Sequence, residues 1–221
     1  MSIEERVNNI INEIPENVTL VAVSKTRSLD EMEEAYNAGI RDFGENKVQE
    51  LIEKEEKFHK DVKWHLIGHL QTNKVKYIVD KVYLIHSLDS IKLLDEIEKR
   101  YSQKGKIANA LIQINIGRDP NKTGILLEEL DDLIEACEKC NNVKIRGLMT
   151  VLPKESEEKC RKYFNNMKKL YDLLSKKSYN NITMEYLSMG MTGDYKIAIE
   201  EGANIIRIGE GIFGKRIYNN I

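Results

Sequence analysis

Eight short segments rich in valine, isoleucine, leucine and aromatic residues recur along the chain, and a helical pattern follows each of them. The segments lie at about 19–24, 39–43, 62–67, 82–86, 109–115, 143–148, 183–188 and 204–208. Short apolar segments bounded by Gly, Asn, Ser or Asp are typical of strands that are buried on both faces. Strands that alternate with helices form a parallel sheet, and eight such units close most naturally as a (β/α)8 barrel.

The helical patterns complete this interpretation. They occupy 28–37, 46–59, 70–79, 90–103, 126–140, 155–177 and 194–201, a short helix is expected near Gly211, and a leading helix at 1–15 precedes the first strand. Ser28 followed by Glu31 is a capping-box pattern, which predicts that a helix begins there. We therefore predict the α/β class: a single TIM-type (β/α)8 barrel with an extra N-terminal helix. Residues 1–221 are expected to form one domain, with barrel strands at about 19–208. A doubly wound open sheet is the alternative.

Charge and composition exclude several classes of function. Lysine and arginine number 34 against 36 acidic residues, and a net charge of -2 argues against binding nucleic acid by bulk charge. The longest apolar runs are too short to span a bilayer, and the N-terminus lacks the regions of a secretory signal. Three cysteines suit a reducing compartment. We expect a cytoplasmic protein with no membrane or nucleic-acid partner.

A lysine, Lys25, directly follows the first predicted strand in the stretch VAVSKT. In such a barrel, function lies at the carboxyl ends of the strands, so Lys25 is expected at that end. Burial lowers the pKa of a lysine and favours the free amine, which attacks a carbonyl to form a Schiff base. The alternative is a lysine whose stem packs on the strand while its ammonium reaches solvent.

Two glycine-rich loops follow the seventh and eighth strands, LSMGMTGD at 187–194 and IGEGIFG at 208–214. Free backbone N–H groups beside a helix start bind anions, and barrels of this type often hold phosphate after these two strands. The alternative is that the glycines serve only as turn residues. A reactive lysine opposite a phosphate site suggests a ligand with an aldehyde and a phosphate, and pyridoxal 5′-phosphate (PLP) has both.

Arg207 lies on the eighth strand, two residues before Gly209, so the alternation of a strand places both on one face. An arginine that faces into a barrel is costly without a partner. It could contact the pyridine nitrogen of the cofactor and keep that nitrogen unprotonated, because a guanidinium stays charged. An ion pair with Glu210 or another acid is the alternative.

Three further patterns receive weaker interpretations. Cys137 and Cys140 form a lone C-x-x-C, so neither zinc nor any other metal is expected. His65 and His69 straddle a strand end, so we expect His65 in the strand and treat His69 as a candidate for the open end of the barrel. The polar loop at 117–124 is either a lid or partner-binding segment, or an ordinary connector.

Seven motifs in order resemble the pyridoxal phosphate homeostasis family, whose barrel is similar to the N-terminal domain of bacterial alanine racemase. They are VAVSKT, FGENKVQEL, WHLIGHLQTNK, HSLDS, INIGRDPNKTGI, IRGLMTV and the run from LSMGMTGD to IRIGEGIFG, and they extend from about residue 19 to residue 216. The resemblance implies PLP as cofactor, held as a Schiff base on Lys25. The sequence departs from many relatives only after SKT, where Arg27 follows.

The resemblance also implies roles for particular residues. Asn46 would border the cofactor, and Arg207 would approach the pyridine nitrogen. The phosphate would be held by Ser188 and Thr192 and by the amides around Gly209, Glu210 and Gly211. The residues assigned to the cofactor are Lys25, Asn46, Ser188, Met189, Thr192, Arg207, Gly209, Glu210 and Gly211.

The family is regarded as having no settled catalytic activity, and the resemblance implies a carrier or regulator of PLP supply. We expect a monomer that buffers PLP or delivers it to apo PLP-dependent enzymes. The alternative is a weak PLP-dependent amino-acid racemase. Racemisation by two bases needs an acid/base group opposite the lysine, usually from a second domain, and no second domain is predicted here.

Overall fold

The computed structural model describes residues 1–215, and its eight strands form a closed parallel barrel in sequence order. The strands are β1 Thr19–Val23, β2 Asp42–Glu45, β3 Lys63–Leu66, β4 Leu84–Leu88, β5 Ala108–Gln113, β6 Val143–Met149, β7 Ile182–Ser188 and β8 Ile205–Ile208. β1 pairs with β8 from Thr19 opposite Ile205 to Ala22 opposite Ile208, which closes the barrel. The predicted barrel is confirmed and the open-sheet alternative is wrong. The last residues of the predicted domain 1–221 lie outside the described part of the chain.

Helices surround the strands. They are α1 Ile3–Glu13, α2 Leu29–Asn37, α3 Val48–Lys57, α4 Ile91–Gln103, α5 Leu130–Glu138, α6 Glu157–Ser175, α7 Tyr195–Glu200 and α8 Glu210–Phe213. The predicted helix at 70–79 is a 3₁₀ helix, Thr72–Tyr77, and the one at 126–140 begins with a second, Leu127–Glu129. Ser28 and Glu31 form the predicted capping box at the start of α2. No helix within residues 1–215 is long and apolar enough to cross a membrane.

Two strands begin later than predicted. The residue Gly39 takes φ +102° and ends the turn after α2, so β2 starts only at Asp42. Asp80, at φ +68°, lies in the turn before β4, which starts at Leu84. Residues 44–45 and 87–88 lie beyond the predicted segments 39–43 and 82–86 and instead belong to β2 and β4, because the preceding turns occupy the residues assigned to the strand starts.

Apolar side chains fill two separate regions. The larger region packs the outward faces of the strands against the helices. The smaller lies inside the barrel and consists of Val21, Leu84, Leu111, Met149 and Ile205, with Val151 and Tyr186 packed against it. Because alternate residues of a strand point to opposite faces, residues in phase with this inner cluster also face the barrel interior.

Candidate functional site

Lys25 lies half-buried in a turn directly after β1, at the barrel mouth, which is the end formed by the carboxyl ends of the strands. Thr26 follows in the left-handed region with φ +65°, and its N–H donates to Glu50 Oε1 over 2.5 Å. A β-branched residue rarely adopts this conformation, so the surrounding contacts must impose it. The turn that carries Lys25 is therefore held in a specific conformation.

A buried ion pair stands behind this turn. Lys54 of α3 donates through Nζ to the Ser24 carbonyl oxygen (2.7 Å), to Glu45 Oε1 (2.7 Å) and to Glu50 Oε1 (2.8 Å). The Ser24 hydroxyl also donates to Glu45 Oε1 over 2.7 Å. Burial raises the pKa of Glu45, and the Lys54 ammonium and the Ser24 hydroxyl counteract part of that rise. The residue before Lys25 is thus anchored through both its carbonyl and its side chain.

The sequence interpretation missed this network, since Lys54 lies within an ordinary helical pattern. A signal was present in the i, i+4 spacing of Glu50 and Lys54 on the helix after a strand that ends in Glu45. That spacing alone does not distinguish a buried pair from a solvated one.

Asn46 follows β2 half-buried at the same end of the barrel. Gly68, after β3, packs directly on its backbone: a Cβ at Gly68 would lie 2.8 Å from the Asn46 Cα. That distance is closer than real Cβ atoms approach, so glycine is required for the two loops to meet. The close approach sets the position of Asn46.

The loops after β7 and β8 are joined to each other. The carbonyl of Gly190 accepts a hydrogen bond from the Arg207 N–H (3.0 Å), and the Gly211 N–H donates to Thr192 Oγ1 (3.2 Å). Gly190 takes φ +95°, and a Cβ there would lie 2.6 Å from the Ala198 Cβ. The two glycine-rich segments therefore form one continuous structure at the barrel mouth.

The nine predicted residues all lie at the carboxyl ends of β1, β2, β7 and β8. Within this group Thr192 and Glu210 are exposed, whereas Met189 is fully buried and packs in the outer core. The Met189 N–H donates to the Ile205 carbonyl oxygen over 3.1 Å. Ser188 is fully buried at the end of β7, and its hydroxyl contacts other side chains.

Arg207 is almost fully buried inside the barrel. Its guanidinium donates to Ser188 Oγ over 2.6 Å and to the Thr150 carbonyl oxygen over 2.8 Å. Ser188 Oγ lies 3.0 Å from His86 Nδ1, and His86 Nε2 lies 2.9 Å from His65 Nδ1.

His65 completes a row of five side chains on β2, β3, β4, β7 and β8, because its Nε2 lies 2.9 Å from Asp42 Oδ1. We call this row the interior chain: Asp42, His65, His86, Ser188 and Arg207. The sequence interpretation placed His65 in the strand correctly but did not connect it with His86 or Arg207, since the residues are far apart in sequence.

Burial controls the electrostatics of the interior chain. It lowers the pKa of Arg207 to about 10, with nearby Asp194 opposing the shift, so the guanidinium stays charged at neutral pH. Burial, followed by electrostatic interactions with His65 and Arg207, holds the pKa of His86 well below its ordinary value. Burial likewise raises the pKa of Asp194, against the Met191 N–H and Arg207. The acid that interacts electrostatically with Arg207 is therefore Asp194. Glu210, the other candidate, is exposed to solvent.

The other candidates occupy different places. His69 is half exposed beyond β3 and bonds Asp89 over 2.9 Å. Cys137 and Cys140 are buried free thiols at the end of α5, and burial raises the pKa of both. Among residues 1–215 there is no cluster of three His, Cys, Asp or Glu side chains that could hold a metal ion.

The loop at 117–124 folds around Asn115. The Asn115 amide donates to the carbonyl oxygens of Asp119 (2.9 Å) and Lys122 (3.3 Å), and its Oδ1 accepts from the Asp119 N–H (3.0 Å). This loop is therefore organised by a buried side chain.

Comparisons with known proteins agree with this architecture. The sequence matches the family model described as "Alanine racemase, N-terminal domain" over residues 1–216. The pyridoxal phosphate homeostasis protein of Aquifex aeolicus (strain VF5) is 45% identical over 201 residues, which cover 90% of this chain and 87% of the relative.

Solved structures are similar as well. The structure of PipY from Synechococcus elongatus PCC7942 without PLP is 34% identical, with a TM-score of 0.91, and the match covers 96% of this chain and 100% of PipY. The structure of PipY with PLP bound gives a TM-score of 0.88 at 32% identity, with the same coverage. Alanine racemase of Clostridium difficile 630 is 17% identical with a TM-score of 0.79 and is covered over 57% of its length, so it shares the fold alone.

The closed barrel, with its lysine turn and joined loops at one end, defines the class of barrel found in the N-terminal domain of alanine racemase. Within that class, the chain belongs to the pyridoxal phosphate homeostasis protein family. The resemblance inferred from the seven motifs is confirmed.

Proposed function

We propose that this protein binds PLP at the barrel mouth, holds it as a Schiff base on Lys25, and acts in PLP homeostasis by buffering or delivering the cofactor. The observation that supports this best is the position of Lys25, on an imposed turn at the same barrel end as the joined β7 and β8 loops and the buried Arg207. PipY, which is similar over its whole length, has been solved with PLP bound.

The residues present fit the three functional groups of PLP. A primary amine matches the aldehyde, a hydroxyl with glycine-rich backbone amides matches the phosphate, and a charged guanidinium matches the pyridine nitrogen. When bound, the cofactor supplies an aldehyde that reacts reversibly with primary amines.

The side chains have distinct tasks in this proposal. Lys25 supplies the amine, and Asn46 borders the ligand. Thr192 with the backbone of Gly209, Glu210 and Gly211 would hold the phosphate, because the hydroxyl and amide groups there lie on one continuous loop structure. Arg207 stays charged and would present N–H groups, which keeps a facing ring nitrogen unprotonated.

Racemase activity is not part of this proposal. The likeness to alanine racemase is one of fold, at 17% identity, and it carries no statement about chemistry. The homeostasis proteins, in contrast, match at 45% identity over most of both chains.

The proposal has a direct test in the absorbance of the purified protein with added PLP. We expect a Schiff-base band that borohydride abolishes, and peptide mapping should then find the reduced adduct on Lys25. Lys25→Ala should lose the band, whereas the control Lys47→Ala, an exposed lysine close in sequence, should keep it. An adduct on another lysine in the Lys25→Ala protein would refute the site.

We further propose that the protein acts as a monomeric single domain in the cytoplasm and transfers PLP to apo PLP-dependent enzymes. Three buried free thiols support a reducing compartment. Transfer to an apo-enzyme should be faster than release of PLP into buffer, and light scattering should give the mass of one chain. Equal rates of transfer and release would reduce the role to buffering.

A further inference from the structure

We propose that Asp42, His65, His86 and Ser188 are positioning residues that orient Arg207, and that Ser188 therefore serves the interior chain and not the phosphate. The part of this proposal that concerns the ligand rests on the proposed function, since Arg207 acts there on the cofactor. The part that concerns hydrogen positions rests on the distances and on the burial of the two histidines.

The two ends of the interior chain, together with two buried and neutral histidine rings, fix the direction of every hydrogen bond in it. A guanidinium can only donate, and an ionised carboxylate can only accept. Arg207 must therefore donate to Ser188 Oγ, and His65 Nε2–H must donate to Asp42. A neutral His65 then accepts at Nδ1 from His86 Nε2–H, and a neutral His86 accepts at Nδ1 from the Ser188 hydroxyl. All four bonds run from Arg207 towards Asp42.

Burial decides the state of both histidines, because each is at most 1% exposed and burial disfavours a charged ring. Each neutral ring accepts at Nδ1 and donates at Nε2, so it carries its hydrogen on Nε2. A second proton on either ring would make His86 donate to Ser188 Oγ and would free the serine hydrogen for another acceptor.

The same direction assigns the hydroxyl of Ser188. Its hydrogen points to His86 and its oxygen accepts from Arg207, so it has no hydrogen to donate to an anion. Thr192 differs, because its Oγ1 accepts from the Gly211 N–H and its own hydrogen can serve another acceptor. A phosphate, which has only acceptor oxygens when fully ionised, is therefore a ligand for Thr192 and not for Ser188.

The experiment compares the affinity for PLP with that for pyridoxal, which lacks the phosphate. Thr192→Val should weaken PLP binding by about tenfold or more and leave pyridoxal binding unchanged, because it removes a hydrogen bond to a charged group. Ser188→Ala should weaken the binding of PLP and of pyridoxal by the same factor. A selective loss of PLP binding in Ser188→Ala would overturn the assignment of Ser188.

Variants at the far end of the interior chain test the positioning role. Asp42→Leu removes the final acceptor, whereas Asp42→Asn keeps an oxygen that can accept from His65. We expect Asp42→Leu, like Ser188→Ala, to shift the pH at which the absorbance of the bound ligand changes. In Asp42→Asn this pH should stay close to that of the original protein. Equal shifts in the two Asp42 variants, or none in either, would refute the role. Urea unfolding of each variant identifies any that fail to fold.

A measurement on the ligand-free protein keeps the two proposals apart. The chain has four histidines, so ¹⁵N NMR resolves each ring. His65 and His86 should both appear as neutral Nε2–H tautomers at neutral pH, and an Nδ1–H tautomer or a charged ring at either position would refute the interior chain. If neither PLP nor pyridoxal bound to the protein, the proposed function would fail while this result still stood.

Discussion

Lys54 offers the sharpest test of how the turn that carries Lys25 is held in place. Lys54→Met keeps the apolar stem and removes the ammonium, which donates to Ser24, Glu45 and Glu50. Glu50 has a side chain that is 22% exposed, so water can replace its lost partner. Glu45 is fully buried, and within the described residues its Oε2 already has no hydrogen-bond partner.

The expected cost therefore arises mainly at Glu45. Removing one partner of a buried ion pair costs about 3–5 kcal/mol, because the remaining charge stays buried without compensation. We expect the free energy of unfolding at pH 7 to fall by about that amount, and the affinity of Lys25 for PLP to fall as well. Lys57→Met, which removes an exposed lysine from the same helix, should change the stability by less than about 0.5 kcal/mol.

The pH dependence gives the test its specificity. Burial already raises the pKa of Glu45 above its ordinary value, and loss of the Lys54 charge should raise it further. A carboxyl whose pKa is raised on folding binds more protons in the folded state, so its contribution is most favourable at low pH and is lost as pH rises through the folded pKa. The deficit of Lys54→Met should therefore shrink by up to about 1.4 kcal/mol per pH unit between neutral pH and pH 4.

Urea unfolding followed by circular dichroism at several pH values measures this deficit. Adding Glu45→Gln to Lys54→Met removes the uncompensated charge and should recover part of the lost stability at pH 7. A deficit that is the same at every pH, or a double variant no more stable than the single one, would show that Lys54 contributes by packing and not by its charge.

Three further outcomes follow from the structure. Folding lowers the pKa of His86, so the folded protein is destabilised as pH falls from about 6.5 towards the folded pKa of this ring. Between those two pH values, His86→Gln should reduce the slope of unfolding free energy against pH by up to about 1.4 kcal/mol per pH unit, as measured by urea unfolding. Gly147→Ala should abolish folding or cost more than about 3 kcal/mol in urea unfolding, because φ is +146° and a Cβ would overlap the Tyr186 carbonyl oxygen. Cys137 and Cys140 are buried with raised pKa values, so a thiol reagent at pH 8 should react with them only at the rate of unfolding.

The late starts of β2 and β4 show where local patterns stop being informative. Gly39 and Asp80 take positive φ values, and the turns they form push each strand start two to three residues along the chain. A pattern of apolar residues predicts that a strand is present, but the geometry of the preceding turn decides at which residue strand pairing begins. Ser87, one residue beyond the predicted segment 82–86, therefore lies within β4.

The sequence by itself determined the eight strand and helix units and the loops that follow the strands, whereas the structure decided between a closed barrel and an open sheet. Apolar segments followed by helices permit only parallel pairing, and parallel strands bring all their carboxyl ends together, so Lys25 and the β7 and β8 loops were predictable as neighbours. Only the tertiary structure decided which polar side chains touch. The interior chain and the pair of Glu45 and Lys54 join residues from different strands and helices, and their hydrogen bonds depend on distances of a few tenths of an ångström that no periodicity encodes.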